Sequence, residues 1–413
     1  MNKKYPENIM PVTLLTGYLG SGKTTLLNRI LENKKGIRFA VIVNDIGEVN
    51  IDASLIQKGG IVGQGDDGDL VALQNGCICC TLRGDLMKQI SDLIEAARFD
   101  YIVIEASGIC EPGPIAQTIE QMEHGVNPLR TDIIRPHLDG IVTVVDALRM
   151  KSEFGCGDTL NRENIDEEDI ENLIIQQIEF CNLILLNKVD EVSNEEVQEI
   201  KAVIRALQPR AEIIECNYCD VDLSKIIDTH LFDFEKTATS ATWVKEIENY
   251  SGDEEHEEHE HHHHDEEDHS HCDHEHGHCC HHHHHHDEGE AEEYGIGTFV
   301  YMRRRPFDFN KFDRFVNLDW PKSVIRAKGV LYFSHNRDMS ILFEQAGIQK
   351  SIKEAGLWFA TAPEEELIEI MKQEPGLVKD WDPEYGDRME KIVFIGRDMD
   401  QEAITAALDA CLA

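Results

Sequence analysis

The stretch that most constrains the fold of this chain is VTLLTGYLGSGKTTLL, at residues 12–27. A short apolar run leads into Gly17, four residues separate it from Gly22, and Lys23 and Thr24 open a segment with the apolar spacing of a helix. A strand, a glycine-rich loop and a helix in this order form a phosphate-binding loop. Its backbone N–H groups surround a phosphate, and the helix N-terminus adds the positive end of its dipole. The pattern predicts an α/β nucleotide-binding domain.

The phosphate site predicted from this loop has three catalytic groups. Lys23 is expected to reach the β- and γ-phosphates, and Thr24 to bind Mg²⁺. Glu105 ends the apolar run YIVIE, where a carboxylate is available to Mg²⁺ or a Mg²⁺-bound water. Ser107 and Gly108 follow, and we expect them to approach the γ-phosphate. The loop residues predicted to bind the nucleotide are Gly17, Gly20, Ser21, Gly22, Lys23, Thr24 and Thr25. The sequence does not single out a residue that positions the attacking water.

The nucleobase of the bound nucleotide is predicted from a second motif, LILLNKVD, at residues 183–190. Asn187, Lys188 and Asp190 close an apolar strand in the N-K-x-D arrangement of GTPases. In that arrangement the aspartate carboxylate accepts hydrogen bonds from N1–H and the exocyclic amine of guanine. An adenine edge offers no such pair of donors, so the motif predicts GTP. Asp146, at the end of the preceding apolar run, is interpreted as structural.

Apolar runs alternate with helical patterns over the first half of the chain, which predicts a doubly wound, mostly parallel sheet. The predicted strands are Val12–Thr16, Phe39–Asn44, Leu70–Gln74, Tyr101–Ala106, Gly140–Ala147, Leu183–Lys188 and Ala211–Cys216. A smaller α+β domain is predicted after residue 293, with a strand and amphipathic helix over Gly295–Val316 and a strand at Lys391–Gly396. The predicted units are residues 1–232, a linker at 233–293, and 294–413. The basic cluster Met302–Phe307 is expected to meet carboxylates of its own domain.

Negative charge dominates the composition. Of 79 Asp and Glu residues, 17 lie in residues 253–293, and the rest of the chain still carries 62 against 39 Lys and Arg. An acidic surface disfavours nucleic acid as the partner. No apolar stretch approaches 18 residues and no signal peptide is visible, so we predict no membrane span and a cytoplasmic location.

Residues 251–293 also hold 17 of the 21 histidines and almost no apolar residue. This composition predicts a disordered linker. Imidazoles such as those of His261, His262, His263 and His264 bind Zn²⁺, Ni²⁺, Cu²⁺ and Co²⁺, so weak metal buffering is expected. The alternative is a merely solvated polar linker.

Three cysteines crowd the stretch QNGCICCTLRGD, at residues 74–85. Cys77, Cys79 and Cys80 favour Zn²⁺ or another soft or borderline cation. Two sulfurs completed by Asp45, Glu48 or a histidine are as plausible as three sulfurs, and incomplete coordination suits a transferable ion. Buried inert thiols, a redox or nucleophilic role and a disulfide are the alternatives.

In this order, GYLGSGKTTLL, NDIGEVNID, GCICC, EASG with EPGPIAQT, and NKVD resemble the CobW-type metallochaperone GTPases. The resemblance continues through RAKGVLYF and WDPEYGDRMEKIVFIG in the C-terminal part. It implies that Cys77, Cys79 and Cys80 carry metal and that GTP hydrolysis is coupled to its delivery. The predicted function is therefore a GTPase that delivers a divalent metal, most of all zinc, to a client metalloprotein or apo-enzyme, with a homo-oligomer as a further possibility. The alternatives are cobalt handling for cobalamin synthesis, a metal-storage protein, and a kinase or regulatory GTPase without metal.

Overall fold

The computed structural model describes residues 5–6, 8–32, 36–43, 83–125, 133–154, 168–244, 294–346, 349–373 and 381–413. Four predicted features lie outside these residues: the strand at Leu70–Gln74, the candidate ligands Asp45 and Glu48, the segment with Cys77, Cys79 and Cys80, and the acidic, histidine-rich stretch at 251–293. No helix among the described residues is both long and apolar enough to cross a bilayer.

The N-terminal half alternates strands with helices. Its strands are β1 (Ile9–Thr16), β2 (Phe39–Val43), β3 (Tyr101–Glu105), β4 (Arg135–Asp146), β5 (Leu183–Asn187) and β6 (Glu212–Cys216). Its helices are α1 (Lys23–Leu31), α2 (Arg83–Glu95), α3 (Pro112–His124), α4 (Ala147–Phe154), α5 (Glu168–Glu179), α6 (Asn194–Leu207) and α7 (Phe234–Ala238). The strands form one sheet in the order β2-β3-β1-β4-β5-β6, in which every pairing is parallel. The carboxyl ends of the strands therefore meet at one edge.

Successive side chains of these strands enter two different hydrophobic cores. In β5, Ile184 and Leu186 belong to one cluster, whereas Leu183 and Leu185 belong to the other. Both faces of the strand are covered, because all five of its residues are buried. This is why the run reads as continuously apolar, and it confirms the predicted doubly wound sheet.

Strand β4 begins at Arg135, five residues before the predicted start at Gly140. The prediction was wrong because Asp139 is a charged residue inside a buried strand. Its carboxylate accepts hydrogen bonds from the hydroxyls of Tyr5 (2.6 Å) and Tyr101 (2.5 Å) and from the N–H of His230 (2.6 Å). These donors offset the cost of burying the carboxylate.

The C-terminal half contains a second, antiparallel sheet. Its elements are β7 (Ile296–Arg303), α8 (Phe309–Leu318), β8 (Val324–Phe333), β9 (Asn336–Ala346), β10 (Gln349–Leu357), α9 (Glu364–Gln373), β11 (Glu390–Arg397) and α10 (Gln401–Ala410). The strand order is β10-β9-β8-β11-β7. An aromatic core that includes Phe307, Phe312 and Phe394 also contains Ile404 and Leu408 of α10. The predicted α+β character and the strand–helix pair after Gly295 are confirmed.

One arginine of the basic cluster pairs with a carboxylate of its own half, as predicted for the cluster. Arg303 donates from Nε to Asp409 Oδ1 (2.8 Å) and from Nη2 to Oδ2 (2.9 Å). The guanidinium of Arg305 donates to the carbonyl of Ala413.

The two sheets share one hydrophobic core. Ile296, Ala346, Val393 and Ile395 of the second sheet belong to the same buried cluster as Ile178 of α5. The cluster also contains Val12 and Leu14 of the first sheet. The apolar faces of the two halves are therefore buried against each other.

A buried ion pair crosses this shared core. Arg326 of β8 donates from Nε to Glu179 Oε1 (2.9 Å) and from Nη2 to Oε2 (3.0 Å), and the third nitrogen donates to the carbonyl of Gln345 (3.3 Å). The Arg326 side chain is 0% exposed and that of Glu179 is 7% exposed. The paired, bidentate geometry is what makes these two charges tolerable away from water.

Replacing Glu179 by Ala is expected to lower the free energy of unfolding by about 3–5 kcal/mol, because it leaves the Arg326 charge buried without its carboxylate. The matched control is Asp338→Ala, which removes the 67% exposed carboxylate that pairs with Arg388 and is expected to cost about 1 kcal/mol or less. Chemical denaturation of the two variants measures both values. Equal losses would contradict the importance assigned to the Arg326–Glu179 pair.

Candidate nucleotide site

The loop between β1 and α1 has the backbone of a phosphate cradle. Gly17, Gly20 and Gly22 adopt φ values of 136°, 78° and 118°, which side chains disfavour. A Cβ on Gly17 would lie 2.3 Å from the backbone oxygen of Val144, and one on Gly22 would lie 2.5 Å from Nδ2 of Asn187. The loop therefore lies too close to β4 and β5 for any residue but glycine at these two positions.

Replacing Gly17 by Ala is expected to destabilise the protein by about 3 kcal/mol, because the new methyl group meets a backbone atom that cannot rotate away. Gly36→Ala is the matched control, since Gly36 also has a positive φ (72°) but a Cβ at this residue would have no atom within 4 Å. We expect it to cost about 1 kcal/mol, the backbone contribution alone. Thermal and chemical denaturation measure both; equal losses would show that the contact with Val144 is unimportant.

The predicted catalytic residues lie close together at the sheet edge. Lys23 begins α1, is 7% exposed, and donates from Nζ to the carbonyl of Tyr18 in the loop (3.2 Å). Thr24 Oγ1 donates to Glu105 Oε1 (3.2 Å), and Glu105 is the buried last residue of β3. A hydroxyl and a carboxylate at this distance are ligands that Mg²⁺ accepts, so these side chains fit the ion.

The remaining loop residues differ in exposure. Ser21 is 1% exposed, and its buried hydroxyl has no hydrogen-bond partner among the described residues. An unsatisfied hydroxyl in a phosphate-binding loop fits an oxygen-rich ligand. Gly20 and Thr25 are exposed, on the tip of the loop and the first turn of α1.

The segment after β3 closes the loop from the other side. A Cβ on Gly108 would lie 2.7 Å from the backbone nitrogen of Leu19, so this glycine is in close contact with the phosphate loop. The carbonyl of Gly108 accepts a hydrogen bond from the buried amide of Gln177 (3.2 Å). Ser107 is 7% exposed. The structure thus brings Gly108 to the loop; approach of Ser107 and Gly108 to a γ-phosphate stays a prediction.

Asn187 connects the base motif to the phosphate loop. It is 2% exposed at the end of β5, and its Nδ2 donates to the carbonyl of Ser21 (2.8 Å). Its Oδ1 accepts the N–H of Cys219 (3.0 Å). Asn187 therefore fixes the relative positions of two loops instead of pointing into solvent.

The other two residues of the base motif surround an exposed turn. Lys188 has a left-handed φ of 61°, and its Nζ pairs with the carboxylate of Asp146. Asp146 also accepts the N–H of Arg149 (3.1 Å), in keeping with its interpretation as a structural residue. Asp190 lies in the 3₁₀ turn Val189–Glu191 with its side chain exposed, and its N–H donates to Asn217 Oδ1 (3.0 Å). The turn leaves this carboxylate facing outward, where a base can reach it.

Sequence reasoning missed the residues at the end of β6 and just after it that complete this edge. Cys216 and Cys219 both contact Asn187, and Arg29 of α1 donates to the carbonyl of Tyr218 (2.7 Å). The signal was available as a C-x-x-C spacing at the end of a predicted strand.

The predicted metal ligands belong to stretches of the chain other than the described ones. Cys77, Cys79, Cys80, Asp45 and Glu48 lie outside the described residues, as do His261, His262, His263 and His264. Within the described part of the chain, no group of three or more His, Cys, Asp or Glu residues is arranged to hold a metal ion.

A phosphate loop, a hydroxyl–carboxylate pair and an Asn-Lys-x-Asp turn at one edge of a parallel sheet define a P-loop guanine-nucleotide-binding protein. Comparison with known families agrees. Residues 11–215 match the model "CobW/HypB/UreG, nucleotide-binding domain", and residues 296–412 match the "Cobalamin synthesis protein cobW C-terminal domain". The chain belongs to the CobW/HypB/UreG family, and the resemblance inferred from its motifs is confirmed.

Similar proteins include the zinc-regulated GTPase metalloprotein activator 1 of Dictyostelium discoideum, which is 34% identical over 98% of this chain and 80% of its own length. The zinc chaperone YjiA of Escherichia coli is 34% identical over 56% of this chain and 65% of its own length. Among solved structures, Zn(II)-bound YjiA GTPase from E. coli is 21% identical, with a TM-score of 0.38 over 98% of this chain and 100% of that chain.

Proposed function

We propose that this GTPase of the CobW/HypB/UreG family binds zinc and delivers it to a client metalloprotein. The observation that carries the proposal is the match over 98% of the chain to a relative named a zinc-regulated GTPase metalloprotein activator. The same names favour zinc over cobalt, because even the CobW relative from Sinorhizobium is named a zinc chaperone. The protein works in the cytosol, with GTP and a client protein as its partners.

The chain's own residues explain how GTP is held and cleaved. The loop N–H groups and Lys23 hold the phosphates, and Asp190 recognises guanine. Thr24 and Glu105 would hold Mg²⁺, which neutralises charge that develops on the phosphates during cleavage. Because Asn187 joins the base turn to the phosphate loop through Ser21, recognition of the base orders the loop that positions the phosphates.

Zinc is the cargo, and Cys77, Cys79 and Cys80, with Asp45 or Glu48, are its proposed ligands. The part of the chain that carries them follows β2, whose last residue, Val43, pairs with Glu105 in the sheet. The last described residue before the proposed ligands, Val43, therefore lies beside a predicted Mg²⁺ ligand. That position supports coupling between the metal and the nucleotide, and such coupling must be reciprocal.

The test is GTP turnover with and without Zn²⁺, in wild type and in a Cys77/Cys79/Cys80 triple serine variant. We expect Zn²⁺ to change the turnover of wild type and to leave the variant unchanged. A competing chelator should then show different zinc affinities in the GTP and GDP forms of wild type. Equal affinities, or the same zinc response in both proteins, would refute the coupling.

Two other functions make different predictions. A storage protein would lose most of its function on deletion of residues 253–293 and none on Lys23→Ala. A cobalt-handling GTPase, purified from cells grown without added metal, would contain bound cobalt. The zinc proposal requires that the purified protein contain zinc and that Lys23→Ala lose function.

A further inference from the structure

A pair of thiols lies at the junction of the phosphate loop and the base motif. Cys216, the last residue of β6, is 5% exposed, and Cys219 is 0% exposed. The two residues meet at one atom, because the backbone N–H of Cys219 and the thiol of Cys216 both donate to Asn187 Oδ1. Cys216 Sγ donates to Asn187 Oδ1 (3.7 Å), and Cys219 Sγ donates to the carbonyl of Gly22 (3.4 Å). Each thiol therefore touches a residue of the predicted nucleotide site.

The backbone holds this pair in an unusual turn. Tyr218 and Cys219 both have a φ of 52°, in the left-handed region that costs roughly 1–2 kcal/mol for a residue with a side chain. Arg29 compensates by clamping the turn to α1, through the carbonyl of Tyr218 (2.7 Å) and the carboxylate of Asp220 (2.9 Å). Strain that the surroundings maintain in this way is typical of functional positions.

The two thiols differ in acidity. A hydrogen bond that Cys219 donates once Cys216 is ionised lowers the pKa of Cys216, with a further contribution from the positive charge of Arg29. The same hydrogen bond and burial raise the pKa of Cys219. By contrast, burial raises the pKa of Cys181, elsewhere in this half, to about 12. Cys216 is therefore the thiol of the pair that more readily forms a thiolate, which is the nucleophilic form.

We propose that Cys216 and Cys219 are a modification site, a dithiol that peroxide converts into a disulfide, and that this disulfide weakens guanine-nucleotide binding. The inference depends on the nucleotide site and does not depend on zinc delivery. It concerns cysteines distinct from Cys77, Cys79 and Cys80.

The reaction balances with hydrogen peroxide as the oxidant. The Cys216 thiolate attacks one peroxide oxygen, the O–O bond breaks, and the released hydroxide takes a proton to leave as water; Cys216 becomes a sulfenic acid. The sulfur of Cys219 then attacks that of Cys216. An S–S bond forms, the S–O bond breaks, and the hydroxyl leaves as water with the proton of Cys219. Two thiols and one peroxide thus give one disulfide and two waters.

Disulfide formation removes both thiol protons. Asn187 Oδ1 loses its donor from Cys216, and the carbonyl of Gly22 loses its donor from Cys219. The sulfurs must also move to bonding distance, which shifts the Cys219 N–H that Asn187 accepts. Asn187 fixes the phosphate loop through Ser21. We therefore expect nucleotide affinity to fall about tenfold, which corresponds to the free energy of roughly one hydrogen bond.

The experiment uses the full chain in a Cys77/Cys79/Cys80 triple serine background, so that the predicted metal ligands cannot oxidise. The affinity for a fluorescent GDP analogue is measured before peroxide, after peroxide has been removed with catalase, and after reduction with dithiothreitol. Peptide mass spectrometry follows the Cys216–Cys219 peptide. We expect this peptide to become lighter by two hydrogen atoms, the affinity to fall about tenfold, and dithiothreitol to reverse both changes.

Cys216→Ser and Cys219→Ser are compared with their own reduced states, so any direct effect of the substitution on affinity cancels. Cys216→Ser should show no reversible loss of affinity. In Cys219→Ser the peptide should not become lighter by two hydrogen atoms, because only a sulfenic acid on Cys216 can form there. Cys181→Ser is the matched control. Cys181 is also buried, but its thiol donates to the carbonyl of Ile178 and not to a residue of the predicted nucleotide site, so this variant should respond as the parent does. The proposal is overturned if no disulfide forms between Cys216 and Cys219, or if it forms and the affinity does not change. If the reduced protein binds GDP tightly, the nucleotide site is intact. Either result then counts against the disulfide proposal and not against the nucleotide site.

Discussion

Replacing Asp190 by Asn is expected to change the preferred substrate from GTP to xanthosine triphosphate. The carboxylate is predicted to accept hydrogen bonds from N1–H and the amine of guanine, whereas an amide would place its own N–H group against that amine. A site that loses hydrogen bonds to its substrate in this way discriminates by roughly 10⁴-fold, so GTP affinity should fall by that order. Xanthine carries a carbonyl in place of the amine and can accept from the new amide. The ratio of kcat/KM for the two nucleotides measures the change.

Glu191→Gln is the matched control for this variant. Glu191 is the next residue of the same exposed turn, so the substitution removes an equivalent charge without touching the predicted base contact. It should leave the preference for GTP intact. A variant Asp190→Asn that still prefers GTP would show that another residue reads the base.

Lys23→Ala is expected to lower GTP turnover by on the order of a hundredfold or more, as removal of a group that stabilises developing charge does in other enzymes. The Lys23 ammonium lies in the loop, where its Nζ donates to the carbonyl of Tyr18 (3.2 Å). Phosphate release measures turnover, and circular dichroism checks that the variant folds. Lys236→Ala, which removes a 77% exposed ammonium on α7, is the control and should retain full turnover. Turnover by Lys23→Ala within a few-fold of wild type would exclude this loop as the catalytic site.

The parts of the site that were predictable from sequence are those in which one short motif carries both structure and chemistry. Gly17, Gly22 and Lys23 occupy a single turn between a strand and a helix, and Asn187 and Asp190 occupy another. Since parallel strands all end at the same edge, the motif order alone predicts that these turns meet. The structure brings Thr24 and Glu105 to hydrogen-bonding distance for the same reason.

Contacts that depend on packing between distant segments were not predictable. Cys219 meets Gly22 across 197 positions of sequence, and Arg326 meets Glu179 across 147. Neither cysteine spacing nor charge pattern identifies such partners. The early start of β4 was missed for a related reason, because the donors that satisfy Asp139 come from Tyr5, Tyr101 and His230, far from it in the chain.

The core shared by the two sheets also limits how this chain can be recombined with its relatives. A chimera that exchanges the C-terminal half would have to supply a new guanidinium for Glu179 and new apolar side chains for Ile178 at once. A fragment ending after the first sheet would present that carboxylate and that apolar patch to water, and would be prone to self-association. Exchanging one half between relatives should therefore succeed only when the facing surfaces of both halves come from the same protein.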